Sequence, residues 1–160
     1  MDKYSTHIPA LAAVAMHTQG PIVEFGCGDY STPLLHEICR PQQRRLLSLE
    51  TDKAWASRFL DLRTPWHEIL VGNSYEDFDQ IVRQPLDVAF IDHAPTERRV
   101  VDIAKLRPHA MIIVVHDADC RIYGYESILP LFRHRVRYGR MHPRTDVVSE
   151  AHLLDFMSKV

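Results

Sequence analysis

The chain has 160 residues, 46% of them hydrophobic and 25% charged, which is enough apolar material for one buried core, so a single domain over residues 1–160 is expected. A formal net charge of -2 offers no global field to attract nucleic acid or an anionic membrane, and a nucleic-acid substrate is not favoured. Cys27, Cys39 and Cys120 stand far apart in no CxxC pattern, which argues against a disulfide framework or zinc knuckle and suits a cytoplasmic protein, and no stretch reaches the ~18 uncharged apolar residues of a membrane span.

In chain order, Thr6 is placed to cap a first helix, with Pro9 in its opening turn and Ile8, Leu11, Ala12 and Met16 on one face, until Gly20-Pro21 stops it. This segment, residues 1–20, reads as a covering helix. A strand over 22–25 runs into a glycine-bearing turn, and Ser31-Thr32-Pro33 starts a helix that ends before Pro41. A second strand over 45–49 stops at Glu50, and Asp52 caps a helix through Leu62. A third strand over 68–71 and a short helix over 76–82 follow, then a fourth strand over 87–91 ending at Asp92-His93. Thr96 caps a helix through Leu106, and residues 111–115, the most continuously apolar run, form a central strand ending at His116-Asp117. After a last helix near 125–132, two strands over 136–141 and 145–149 are too close for a helical crossover and are expected to be antiparallel neighbours.

Repeated βα units predict an α/β sandwich around a mostly parallel sheet, whose ligands lie beyond the carboxyl ends of the strands. Those ends collect polar residues: Glu24 with Gly26-Cys27-Gly28, then Glu50, Asp92-His93 and His116-Asp117. Gly26 and Gly28 permit a sharp turn and a close backbone approach. Glu50, at the end of the next strand, is placed to accept the ribose hydroxyls of an adenosine ligand, which leaves NAD and S-adenosylmethionine (SAM) in competition. A dinucleotide fingerprint requires a third glycine where this chain has Ser31, and the charge of Glu24 suits a cationic amino-acid group better than a pyrophosphate.

On VEFGCGDYST, LLSLETD, LDVAFIDHAP and IIVVHDAD, the chain resembles the class I (Rossmann-like) SAM-dependent methyltransferases over nearly its whole length. The resemblance implies a three-layer αβα sandwich with seven strands in the order 3-2-1-4-5-7-6. It implies that Glu24, Gly26 and Gly28 hold the methionine part of SAM within a loop that includes Cys27, Tyr30, Ser31 and Thr32. Glu50 with Thr51 would hold the ribose, and Asn73 with Ser74 the adenine edge, Asp92 also bordering the cofactor. Tyr30 departs from the third glycine of many members, and Asn73 from a common Asp. Small O-methyltransferases are similar at the fourth and fifth strand ends, where acidic side chains hold magnesium; the resemblance implies that Asp92 and Asp117, with His116 or His93 beside them, would be the ligands here, the alternative being that Asp92 caps the next helix and Asp117 begins a loop.

His93 is a candidate general base and Asp92 a candidate catalytic carboxylate. Arg98 and Arg99 read as a solvated helix face, and Arg133, Arg135, Arg137 and Arg140 as the polar side of a strand. The remaining histidines, His7 among them, show no HxH or HExxH spacing, which argues against a transition-metal site. The expected activity is methyl transfer from SAM to an oxygen of a small-molecule acceptor; a non-catalytic SAM-binding module, and a lyase or hydrolase acting on the cofactor, remain open. A chain of this length has no room for a lid, so the site is closed by a large substrate or a second subunit of a homodimer, or it stays open.

Overall fold

The computed structural model describes residues 3–139, 142–151 and 154–160; Arg140 and Met141, at the end of the sixth expected strand, and His152 lie outside the described residues. Seven strands form one sheet: β1 (Ile22–Phe25), β2 (Leu46–Glu50), β3 (His67–Val71), β4 (Leu86–Ile91), β5 (Ala110–Val115), β6 (His134–Tyr138) and β7 (Thr145–Ser149). Their order is β3-β2-β1-β4-β5-β7-β6, as the resemblance implied. The first five are parallel, while β7 runs antiparallel to both β5 and β6. The order reverses between β1 and β4, which opens a crevice at their carboxyl ends.

Alternation along each strand divides the core into two layers. Val23, Phe25, Ala89, Ile91, Ile113 and Val115 face α4 (Arg98–Leu106), which contributes Ile103 and Leu106. Ile22, Leu46, Val88, Phe90, Ile112 and Val114 face α1 (Ile8–His17) and α2 (Ser31–Cys39). The αβα sandwich follows from these two faces, since a sheet apolar on both sides must be covered on both.

Several local expectations are corrected. The buried face of α1 is Ala10, Leu11, Val14 and Ala15, with Met16 75% exposed, because α1 packs against α2 as well as the sheet. Thr6 does not cap α1; its hydroxyl reaches the Pro143 carbonyl at 2.7 Å. The carboxyl end of α1 is instead closed by buried Arg44, whose Nη1 donates to the carbonyls of Ala15 and Thr18 at 2.6 and 3.0 Å. Asp52 does cap, accepting from Ala54 and Trp55, but α3 (Lys53–Ala56) lasts one turn before passing into a 3-10 segment, Ser57–Leu62. Thr96 is no cap either, its hydroxyl turning to Glu97. The helix expected near 125–132 is a string of 3-10 turns, interrupted by Gly124 in the left-handed region at φ +68 and by Pro130, which has no N–H to donate.

On β6 the alternation is as expected: Val136 and Tyr138 pack inward, while Arg135 and Arg137 reach across to Asp146 of β7 at 2.6 and 2.7 Å. Asp146 is fully buried, so these two cations neutralise a core carboxylate. No helix among the described residues is long and apolar enough to cross a membrane.

Candidate functional site

The turn after β1 is shaped first by the chain itself. Gly26 has φ +88, and a Cβ there would lie 2.7 Å from the Asp92 carbonyl oxygen and 2.9 Å from the His93 Cα. The β4 loop presses on this glycine, so its necessity is backbone against backbone. Gly26→Ala is therefore expected to destabilise the fold by roughly 2–3 kcal/mol in urea denaturation; a loss below about 1 kcal/mol would mean that the loop yields freely. At Gly28 the added Cβ would meet only the Ser31 hydroxyl, at 2.8 Å, a side chain able to rotate away.

Two carboxylates hold this loop from behind. Glu24 is fully buried, its Oε2 accepting from Thr32 at 2.8 Å and Ser48 at 2.7 Å, while Oε1 has no hydrogen-bond partner among the described residues. Burial pushes its pKa up to about 7, against the pull of hydrogen bonds from Ser31, Ser48 and Thr32. Thr32 also accepts the Gly28 N–H at 2.9 Å, and Ser48 continues to His67 at 3.1 Å and from there to His36 at 2.9 Å. Glu50 accepts the backbone N–H groups of Cys27 at 3.1 Å, Thr51 at 2.6 Å and Asp52 at 2.9 Å, tying the β1 loop to the end of β2.

A cavity of about 730 Å³ opens at the carboxyl ends of β1, β4 and β5. Of the residues expected at a site, Cys27, Gly28, Tyr30, Ser31, Asp92, His116 and Asp117 line it. Glu24, Gly26, Thr32, Glu50, Thr51, Asn73, Ser74 and His93 do not; Asn73 and Ser74 stand in a turn where Asp77 accepts the Asn73 N–H at 2.7 Å. The Cys27 thiol is pushed up by burial and by the neighbouring Glu24 and Glu50, which keeps it protonated and unreactive. Trp55, which the sequence reading passed over, also borders the cavity; its indole N–H donates to the Cys27 carbonyl at 2.6 Å, and Arg58 lies 4.1 Å over its ring.

Asp92 and His93, just past the end of β4, separate, one to the cavity and one to the core. The His93 ring packs 4.2 Å from Tyr75 with Nε2 3.0 Å from Asp102, and burial lowers its pKa. It is not among the residues that line the cavity. Arg99 likewise departs from the solvated face expected of it: it is 5% exposed and turned inward. Its Nη2 lies 3.1 Å from Asp92, its Nη1 3.2 Å from Asp117, its Nε donates to the His93 carbonyl at 2.5 Å, and its guanidinium lies 4.7 Å over the Tyr123 ring. Arg98 is drawn into pairs with Glu76, Asp79 and Asp102.

Burial pushes the Asp92 carboxyl up, but the His116 hydrogen bond and charge together with Arg99 outweigh it and hold it below the usual carboxylate range. His116 Nδ1 lies 3.0 Å from Asp92 Oδ2. His7, carried to this place by the start of α1, also lines the cavity, its ring 4.6 Å from that of His116. Burial, with the His116 charge, lowers its pKa to about 4, so His7 is neutral at physiological pH. His7, Asp92 and His116 have potential ligand atoms within 4.8 Å of one another, a grouping that no local spacing in the sequence announces.

No protein-family model matches the chain, and no curated protein matches it in sequence. Solved structures do. The O-methyltransferase TomG of Streptomyces achromogenes, in complex with SAM, superposes with a TM-score of 0.65 at 16% identity over 92% of this chain and 87% of that one. The SAH-bound Podospora anserina methyltransferase PaMTH1 does so with a TM-score of 0.65 at 13% identity, over 88% of this chain and 76% of that one. The Thermotoga maritima spermidine synthase matches with a TM-score of 0.63 at 15% identity, over 93% of this chain and 60% of its own, so the architecture is not confined to methyltransferases. Together with the strand order, these likenesses show that the chain has the class I SAM-dependent methyltransferase fold.

Proposed function

We propose that residues 1–160 act as one domain that binds SAM in the cavity at the β1/β4 crevice and transfers its methyl group to an oxygen of a small-molecule acceptor. The observation that carries this reading is the cavity itself, with the Gly26-Cys27-Gly28 turn on one wall and Asp92 on the other. Its size lies within the ~300–1,000 Å³ of small-ligand sites. The SAM and SAH in similar structures support the choice of cofactor.

The residues present fit that cofactor. Main chain at Cys27 and Gly28 with the edges of Tyr30 and Ser31 offer a narrow cradle, and Glu24, Gly26, Thr32 and Glu50 hold it in shape. When bound, SAM supplies a methyl group already activated on a sulfonium, so the protein's task is alignment. Asp92, kept ionised by His116 and Arg99, accepts a hydrogen bond from the acceptor hydroxyl and aims its oxygen. Trp55 and Tyr123 add aromatic rings to the cavity wall. A magnesium ion between Asp92 and Asp117 does not fit, because the Arg99 guanidinium already occupies the space between those two carboxylates, 3.1 Å from one and 3.2 Å from the other.

Calorimetric titration tests the cofactor: SAM and S-adenosylhomocysteine are expected to bind at one site and NAD not at all. Binding of NAD alone would overturn the reading. Labelled-methyl transfer into a panel of hydroxyl-bearing metabolites then tests catalysis, with a no-acceptor control that exposes any breakdown of SAM by the protein.

A further inference from the structure

We propose that His7, His116 and Asp92 form a binding site for a divalent transition-metal ion, held by two imidazole nitrogens and one carboxylate oxygen. The hydroxyl of Thr6 fixes the tautomer of His116. That hydroxyl has one hydrogen, and both the Pro143 carbonyl at 2.7 Å and the Lys3 carbonyl at 3.3 Å can only accept. Thr6 Oγ1 also lies 3.1 Å from His116 Nε2, so towards that nitrogen it is an acceptor and Nε2 carries the hydrogen. In the neutral ring Nδ1 is then a bare lone pair, and it faces the Asp92 carboxylate at 3.0 Å.

Two lone pairs at that distance require a cation between or beside them. A proton on Nδ1 does this in the metal-free protein, where His116 is charged beside Asp92; a metal ion takes that proton's place. The second histidine points to the metal. His7 is 2% exposed, and neither of its ring nitrogens has a hydrogen-bond partner among the described residues. A neutral imidazole so buried leaves a donor and an acceptor unsatisfied, each a destabilising loss of hydration. Coordination satisfies its acceptor nitrogen.

The distances are compatible. Metal–nitrogen bonds of about 2.0–2.1 Å bring neighbouring ligand atoms to roughly 3–3.5 Å. His116 and Asp92 already stand at that separation, and since all three ligand atoms lie within 4.8 Å, His7 has at most about an ångström and a half to close. Thr6 plays the part of the outer hydrogen-bond partner that fixes a ligand ring's tautomer. Two imidazoles and one carboxylate suit zinc or ferrous iron rather than magnesium, and the open side faces the cavity. Asp117 stands outside the grouping: its Oδ2 is held by Arg99 and Tyr123, and its Oδ1 lies 3.7 Å from His116 Nδ1, against 3.0 Å for Asp92 Oδ2.

The test is run on the protein without SAM, so it does not stand or fall with the methyl-transfer reading. Co(II) is expected to bind one equivalent with ligand-field absorption, and proton NMR of the wild-type complex to show two paramagnetically shifted imidazole N–H signals. Zn(II) displaces Co(II), and Mg(II) does not. His7→Gln loses at least about tenfold in Co(II) affinity, whereas Asp117→Asn keeps it. No Co(II) uptake would leave the imidazolium–carboxylate pair and sink the proposal. A single shifted N–H signal, or a loss in Asp117→Asn equal to that in His7→Gln, would overturn the ligand set. Because the signal count is read on the wild-type chain, the test survives a variant that fails to fold.

Discussion

Replacing Arg99 with methionine is expected to destabilise the protein by about 3 kcal/mol, because it removes the cation that Asp92 and Asp117 share and leaves Asp92 with His116 and Asp117 with Tyr123. Asp92 and Asp117 are three-quarters or more buried and meet the same guanidinium at 3.1 and 3.2 Å, and its Nε also satisfies the His93 carbonyl at the β4 end. Methionine matches much of the volume but restores none of the charge or hydrogen bonds. Lysine restores the charge as a single point and loses the fork, so Arg99→Lys should fall between the two. Urea denaturation of the three proteins measures this order. A loss under about 1 kcal/mol for Arg99→Met would show that Arg99 is dispensable and that water compensates the carboxylates.

The second large effect is a pH dependence isolated by Glu24→Gln. The folded-state pKa of Glu24 is raised from 4.5 to about 7 by burial, so below about pH 4.5 the group is protonated in both states and the fold is undisturbed by it. As pH rises through 4.5 to 7 the unfolded chain ionises first, and stability is lost, reaching about 3 kcal/mol above pH 7. Glutamine keeps an oxygen for Ser48 and Thr32 and cannot ionise. The stability of Glu24→Gln relative to wild type should therefore rise by that amount between pH 4.5 and 8. His7 and His67, each lowered to about 4 by burial, act in the opposite sense: their contribution is lost as pH falls from 6.5 towards 4. That acid sensitivity is shared by both proteins and cancels in the difference. Parallel stability–pH curves would refute the assignment.

The strands were legible because each is a short apolar run between polar punctuation, and a parallel sheet buries both faces of such runs. All seven appear; most ends shift by a residue where the hydrogen-bond ladder extends past the apolar stretch, as at His67 and Ala110, while the sixth, expected over 136–141, runs instead from His134 to Tyr138. The short helices were less legible. Residues 57–62, 75–83 and 121–131 have apolar spacing that serves a 3-10 turn as well as an α-helix, and glycine, proline and a local capping box decide between them.

The candidate site divides along the same line. The residues at strand ends were visible, because topology alone places the carboxyl ends of β1, β4 and β5 around one crevice. Which side chains enter it was not. Just past the end of β4, Asp92 faces the cavity and His93 the core, and Asp117, at φ +55, turns so that it and His116 both face inward. Arg99 looked like one cation in a polar run until α4 was docked with that residue against Asp92 and Asp117.

What the sequence alone determined is therefore the sheet, its order by resemblance, and the glycine turn flanked by Glu24 and Glu50. These rest on local pattern and chain connectivity. What only the tertiary structure decided is the meeting of His7 with Asp92 and His116, the withdrawal of Glu24 beneath its loop, and the guanidinium between two carboxylates. Each joins elements far apart in the chain, so no spacing encodes it; packing α1 and α4 onto opposite faces of the sheet brings those side chains together.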